Sequence, residues 1–363
     1  LGVISRRWFG LGLASLGSGI KPALALPDPF DAVVGSADAP GARSFSDVQS
    51  ACAAAPPDGS RPYRVLIGPG IWREHLVIER PNVHLIGIGR AETILSYDLA
   101  AGMKGADGKP VGTWGCASIT VRAPGFHAAD LTIENSFDYI GHLAAPQFER
   151  IGPNGAQAVA LMLTGASTDA VLTRVTLTGH QDTLFIDSGR ALFSDCAIAG
   201  SVDFIFGAGA AWFEKCLILS RYRPGQQRNH GYIAAPATSI DQEYGLVFDR
   251  CRLEREALVP DGGVVLGRPW RPTRQFSDGA YGDPKAIGCA YYLDCWMDGH
   301  ISADGWDEMG YTARDGQRQF LQPSEARFGE YGSSGPGAFF TQRRPRLSAV
   351  QAQKIKSAKF IGR

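Results

Sequence analysis

Residues 157–207 read QAVALMLTGASTDAVLTRVTLTGHQDTLFIDSGRALFSDCAIAGSVDFIFG, and a short repeat inside them carries the fold. A polar pair followed by two apolar positions two residues apart occurs as Thr173-Arg174-Val175-Thr176-Leu177 and again as Ser194-Asp195-Cys196-Ala197-Ile198. Downstream it returns as Glu214-Lys215-Cys216-Leu217-Ile218, Asp249-Arg250-Cys251-Arg252-Leu253 and Leu293-Asp294-Cys295-Trp296-Met297. Short strands repeating every 20 to 25 residues predict a parallel β-helix, in which each coil buries its apolar face only by stacking on its neighbours. The expected fold class is therefore all-β: a right-handed, single-stranded parallel β-helix with long loops forming a cleft and a short N-terminal capping helix. Steps between the anchors at 175, 196, 216, 251 and 295 are 21, 20, 35 and 44 residues. We read them as one coil, one coil, a coil with a long insertion, and two coils.

The same period gives the acids a meaning. Asp182 and Asp203 are 21 residues apart, one coil, so they should lie on neighbouring strands about 4.8 Å apart and point the same way. Two stacked acids do not both ionise easily, and one pKa should rise. Gln157 precedes Gln181 by 24 residues, which sets it one coil below. Taken as residues alone, two inward acids near an arginine also describe a structural ion pair with no chemistry attached.

Gln157-Ala158-Val159-Ala160-Leu161, Gln181-Asp182-Thr183-Leu184, Asp203-Phe204-Ile205-Phe206-Gly207 and Leu266-Gly267-Arg268-Pro269-Trp270 resemble, in order and approximate spacing, four motifs of the pectin methylesterases. A fifth motif of that family, G-x-Y-x-E, is matched by Gly70-Ile71-Trp72-Arg73-Glu74, with Trp72 where tyrosine is usual. The similarity runs from about residue 44 to 340 and is strongest to the bacterial branch.

The resemblance implies a carboxylic ester hydrolase that removes methyl groups from the galacturonate of pectin and releases methanol, without a cofactor. It implies that Asp203 attacks the ester carbonyl to form an acyl-enzyme, while Asp182 starts protonated, gives its proton to methanol and then takes one from water. Arg268 would hold Asp203 ionised and leave Asp182 with the raised pKa. Gln181 and Gln157 offer neutral amides to the oxyanion. Trp270, Phe206 and Phe185 suit a cleft that stacks on sugar rings, although the family usually has tyrosine where Phe185 stands. Thr113 and Met309 are further expected substrate contacts, the latter in the family-like segment Gly305-Trp306-Asp307-Glu308-Met309.

Other readings predict different residues. No Gly-x-Ser-x-Gly elbow signals a serine hydrolase. A pectate lyase needs calcium ligands beside an arginine base, and a polygalacturonase needs an acid pair at inverting distance; neither is evident. A β-helix esterase acting on a non-pectin ester, or a non-catalytic carbohydrate-binding β-helix, would keep the fold and change the use. Trp72 and Glu74 read first as a strand-end aromatic and a surface carboxylate and only second as substrate-orienting groups, and His180 reads first as a strand-turn histidine and only second as a substrate contact.

Composition agrees with a solenoid. Forty-five glycines and 22 prolines in a 363-residue chain that is 44% hydrophobic suit many tight turns between short strands. Formal charge is zero, with 36 basic and 36 acidic residues, and no basic stripe invites nucleic acid. No zinc or calcium spacing appears, so no metal is expected. No apolar run approaches the ~20 residues that span a bilayer, and the chain is expected to be a monomer.

Residues 1–25 read as an export signal of the twin-arginine type: Ser5-Arg6-Arg7-Trp8-Phe9, an apolar glycine-rich run, then Ala23-Leu24-Ala25. They point to a periplasmic or extracellular location. Residues 26–43 read as a linker, 44–340 as the β-helix domain, and 341–363 as a tail packed on the outside. Ser46-Asp47-Val48-Gln49 has capping-box spacing and predicts a helix over 45–54 covering the first coil. Cys196 and Cys216 hold equivalent positions on adjacent coils, near enough for a disulfide in an exported protein. The rival is an inward ladder of free thiols continued by Cys251 and Cys295.

Overall fold

The computed structural model describes residues 29–146, 151, 155–226 and 229–359; the predicted export signal lies outside them. The chain winds as a right-handed parallel β-helix whose coils contribute to three sheets of 11, 8 and 7 strands, with two short antiparallel hairpins added. Among the described residues no helix is long and apolar enough to cross a membrane.

The repeated polar pair is the corner of the coil. Arg174, Asp195, Lys215, Arg250 and Asp294 have φ of 54°, 52°, 53°, 55° and 50°. Each turns the chain between a strand of the 11-stranded sheet and a strand of the 8-stranded one, and a left-handed residue makes that turn in a single step. The apolar residues around each corner point inward and stack on their counterparts. Phe193, Phe213, Phe248 and Tyr292 form one such ladder, with successive ring centroids 4.8, 4.7 and 4.4 Å apart, close to the spacing of adjacent strands.

Cys196, Cys216, Cys251 and Cys295 form a second ladder, and all seven cysteines are free thiols. The expected Cys196–Cys216 disulfide is therefore absent. Adjacent parallel strands project equivalent side chains side by side, whereas a disulfide needs Cβ atoms about 3.8 Å apart and turned toward each other. Each thiol instead donates to a backbone carbonyl, Cys196 to Leu172 at 3.4 Å and Cys251 to Phe213 at 3.2 Å.

Several boundaries differ from the expectation. The step of 44 residues is one coil, because Leu246–Asp249 pairs directly with Cys289–Leu293. The extra length is a hairpin of Thr273–Phe276 with Gly279–Gly282. Inside the long insertion between the anchors at 216 and 251, Gly231–Pro236 is a strand of the 7-stranded sheet. The expected linker contains Ala32–Val34, which pairs with Tyr63–Ile67 and starts the first coil. A further strand follows the last anchor, at 295: Arg327–Tyr331 pairs with Cys289–Leu293.

Both ends are closed. Helix α1 (Val48–Ala53) covers the first coil, with Asp47 rather than Ser46 as its N-cap, accepting from the Ser50 amide at 2.7 Å. Its first free amides go to Glu74, whose carboxylate accepts from Val48 and Gln49, each at 2.9 Å. The Gln49 side chain pairs with Val77 N and O at 2.9 and 3.1 Å and satisfies an edge strand. At the far end Arg344 and Glu330 form an ion pair that is 0% exposed on both sides. Helices α2 (Gly112–Gly115) and α3 (Tyr139–Ala144) lie in loops. Helix α4 (Ala349–Ser357) packs Ala352 and Ile355 against Leu192, Trp212 and Val247 on the outer face.

Candidate active site

Asp182 and Asp203 occupy the same corner of consecutive coils. Gln181 bridges Val202, and Leu184 and Phe185 pair with Ile205 and Phe206, so the two aspartates are level to the residue. Both have left-handed backbones, with φ of 64° and 47°. Outside glycine such conformations are most accessible to asparagine and aspartate, and they gather at functional sites. The ladder is irregular just beyond, where the pairing of Val202–Gly207 with Gly231–Pro236 shifts register between Val202 and Ile205.

Arg268 distinguishes the two acids. It leaves the end of strand Val264–Gly267, two strands beyond Asp203 in the 7-stranded sheet. Its Nε and Nη2 donate to the two carboxylate oxygens of Asp203 at 2.9 and 2.6 Å, the bidentate geometry that suits arginine and carboxylate. Asp182 receives no hydrogen bond from any described residue and is only 9% exposed. Burial drives its pKa well above the usual 3.8, the charge of Asp203 raises it further, and Arg268 lowers it only in part. One acid is thus paired with a guanidinium, while its neighbour is driven toward the protonated form.

The same coil register places the two glutamines. Gln181 precedes Asp182 directly. Gln157 is one coil below but one residue out of level: the register there is Leu161 with Leu184, and the Ala158 amide donates to the Gln181 carbonyl at 3.1 Å. Its Oε1 is buried without a partner among the described residues. Thr113 sits next to it, since the Cys116 thiol lies against both the Thr113 and the Gln157 carbonyl at 3.4 and 3.5 Å.

The expected aromatic platform is layered. Phe185 and Phe206 stack at 4.3 Å but are 1% and 4% exposed, so they form the floor and present no open face. Trp270, half-buried, meets both rings edge-on at 6.3 and 5.7 Å. Trp114 of α2, which the sequence did not single out as a contact, meets Phe185 edge-on at 5.0 Å and is 54% exposed. Met309 is half-buried at the base of the hairpin Met309–Thr312 with Arg318–Leu321. His180 is buried and stacks on Tyr139 of α3 at 4.9 Å, its pKa pushed well below 6.5 by burial and by Arg221 and Arg223. It packs a loop against the coil. Residues 136–156, whose lack of apolar periodicity predicts a long loop walling the cleft, include residues 147–150 and 152–154, which lie outside the described residues.

A pectinesterase family model matches residues 31–362. The chain belongs to the pectinesterase family. It is 41% identical over 336 residues to pectinesterase A of Dickeya dadantii, covering 92% of this chain and 91% of that one. Its fold matches a solved pectin methylesterase from Erwinia chrysanthemi with a TM-score of 0.87 at 40% identity, over 92% of this chain and 98% of that one. A pectin methylesterase mutant solved in complex with a hexasaccharide matches with the same TM-score, identity and coverage. In this member of the pectinesterase family the five motifs separate by task. Four supply the acids, amides, guanidinium and Trp270. The fifth is architectural: Glu74 holds α1, and Trp72 donates to the Gly68 carbonyl at 3.2 Å while packing against Gly35.

Proposed function

We propose that this chain is a pectin methylesterase that hydrolyses the methyl ester of galacturonate, with Asp203 as nucleophile and Asp182 as general acid and base. The observation that carries the reading is the unequal treatment of two level aspartates, one paired bidentately with Arg268 and the other buried without a cation. Asp203, paired with Arg268, attacks the ester carbonyl carbon. The oxygen takes up negative charge, which the Gln157 and Gln181 amides stabilise by hydrogen-bond donation. As the acyl–oxygen bond breaks, Asp182 gives its proton to the departing methoxide, and methanol leaves. Asp182, now ionised, takes a proton from water, whose oxygen attacks the acyl-enzyme and releases the free acid and Asp203. The sum is ester plus water to acid plus methanol, the exchange of roles expected of an acid–base pair.

Support for the substrate comes from family membership and from the relative bound to a hexasaccharide. The Trp270 and Trp114 faces flank the buried Phe185–Phe206 floor and supply apolar surface for pyranose rings. Methanol release from methyl-esterified pectin tests the reading; unsaturated or reducing-end products instead of methanol would mean lyase or glycosidase chemistry. Export through the twin-arginine route belongs to the same proposal, resting on Ser5-Arg6-Arg7-Trp8-Phe9 and Ala23-Leu24-Ala25. A reporter fused to residues 1–30 should reach the periplasm, and lysine at both Arg6 and Arg7 should abolish that.

A further inference from the structure

Arg268 has a second anion and an aromatic ring around it. The guanidinium carbon lies 3.9 Å from the centroid of the Tyr232 ring, and the Asp307 charge reaches it as well as that of Asp203. Asp307 is placed by its own backbone, whose amide donates to the Gly267 carbonyl at 3.1 Å, next to Arg268. Its Oδ2 accepts from the Asn229 amide at 2.7 Å and faces the Tyr232 hydroxyl at 3.5 Å, while Asn229 Nδ2 also reaches that hydroxyl at 3.2 Å. Asn229 is fixed in turn by Arg223, which is 9% exposed and donates to the Asn229 and His230 carbonyls at 3.0 and 2.8 Å. Arg268 thus stands between two carboxylates, and only Asp203 holds it.

From this geometry we infer that Tyr232, braced by Asn229 and Asp307, is a positioning residue that assigns the Arg268 guanidinium to Asp203. The ring covers one face of the guanidinium and confines it to the plane in which Nε and Nη2 meet both oxygens of Asp203. The Asn229 amide and the Tyr232 hydroxyl occupy Asp307 Oδ2, so that acid does not draw the arginine away. Tyr232, Asn229 and Asp307 act on the reaction through Arg268. The inference rests on the proposed role of the Asp203–Arg268 pair.

The test is methanol-release kinetics of Tyr232→Leu, Tyr232→Phe and Asn229→Ala, each also made in an Arg268→Ala background. Tyr232→Leu should lower kcat by about tenfold or more and leave KM within about twofold, the pattern of a group that serves the transition state alone. Tyr232→Phe keeps the ring and should recover most of that loss. In the Arg268→Ala background Tyr232→Leu and Asn229→Ala should cost nothing further, because residues acting through one partner are not additive. Should Tyr232→Leu fail to fold, Asn229→Ala carries the same comparison, with a fall in kcat expected only when Arg268 is present. Full activity in Tyr232→Leu or Asn229→Ala with Arg268→Ala impaired, or equal losses with and without Arg268, would overturn the positioning role and leave the proposed reaction standing. Full activity in Arg268→Ala itself would overturn both.

Discussion

Asp182 and Asp203 are the same residue type at the same corner of consecutive coils, yet only Asp203 meets a cation. That difference has a thermodynamic consequence at the residue scale. In the folded state Asp182 keeps its proton to higher pH than in the unfolded chain. Its favourable contribution is therefore complete below the unfolded value near 3.8 and is lost as pH rises through the raised folded value. An amide has no such loss. Asp182→Asn should be more stable than the parent at neutral pH, by something on the order of 1 kcal/mol, and the gain should vanish near about pH 3. Urea denaturation of both proteins at the two pH values measures it, and a variant less stable at neutral pH would show that Asp182 is ionised and held there by a partner. The sequence gives this pair away because a 21-residue spacing equals one winding where no insertion intervenes. Tyr232, Asn229 and Asp307 leave no such trace, since Tyr232 lies on a strand inside the long insertion and Asn229 and Asp307 lie outside the strands.

At the scale of elements, the corner residues explain why a weak pattern was readable at all. The polar pair recurs because each coil must turn through a left-handed residue at the surface, while the following apolar positions must point inward. Helix α1 was legible from its capping signature, but its second cap was not: Glu74 arrives from the next coil, 26 residues from Val48. Removing it leaves two helix N-terminal amides without a carboxylate. Glu74→Ala should cost about 1–2 kcal/mol in a denaturation experiment and leave kcat for methanol release unchanged; a selective loss of kcat would return Glu74 to substrate orientation. The cysteine ladder makes a second prediction at this scale. Thiol titration of the air-oxidised protein in denaturant should count seven, and a count lower by two would establish a bridge.

Across the whole molecule, stability depends on closing two open ends of a stack. The N-terminal end uses a helix, and the C-terminal end uses Arg344, whose guanidinium pairs with Glu330 and donates to the Gly337 carbonyl at 2.7 Å, all out of water. Arg344→Ala leaves a buried carboxylate without its partner and should cost about 3–5 kcal/mol, read as a lowered urea midpoint; a loss under about 1 kcal/mol would mean that water reaches the end of the stack. Overall architecture was legible because stacking imposes a period, and it blurred where insertions of unknown length broke that period. The 44-residue step hid a hairpin within one coil, and the path from Asp203 to Arg268 crosses the insertion in the 35-residue step. Family resemblance, not periodicity, connected them.

The proposed reaction rests on the two aspartates taking different roles side by side, Asp203 paired with Arg268 and Asp182 buried without a cation. Steady-state methanol release from methyl-esterified pectin by Asp203→Ala, with circular dichroism to verify an intact β-helix, is the most direct test. The account predicts that kcat falls by about a thousandfold or more; a folded variant retaining more than roughly 5% of the parent rate would contradict it.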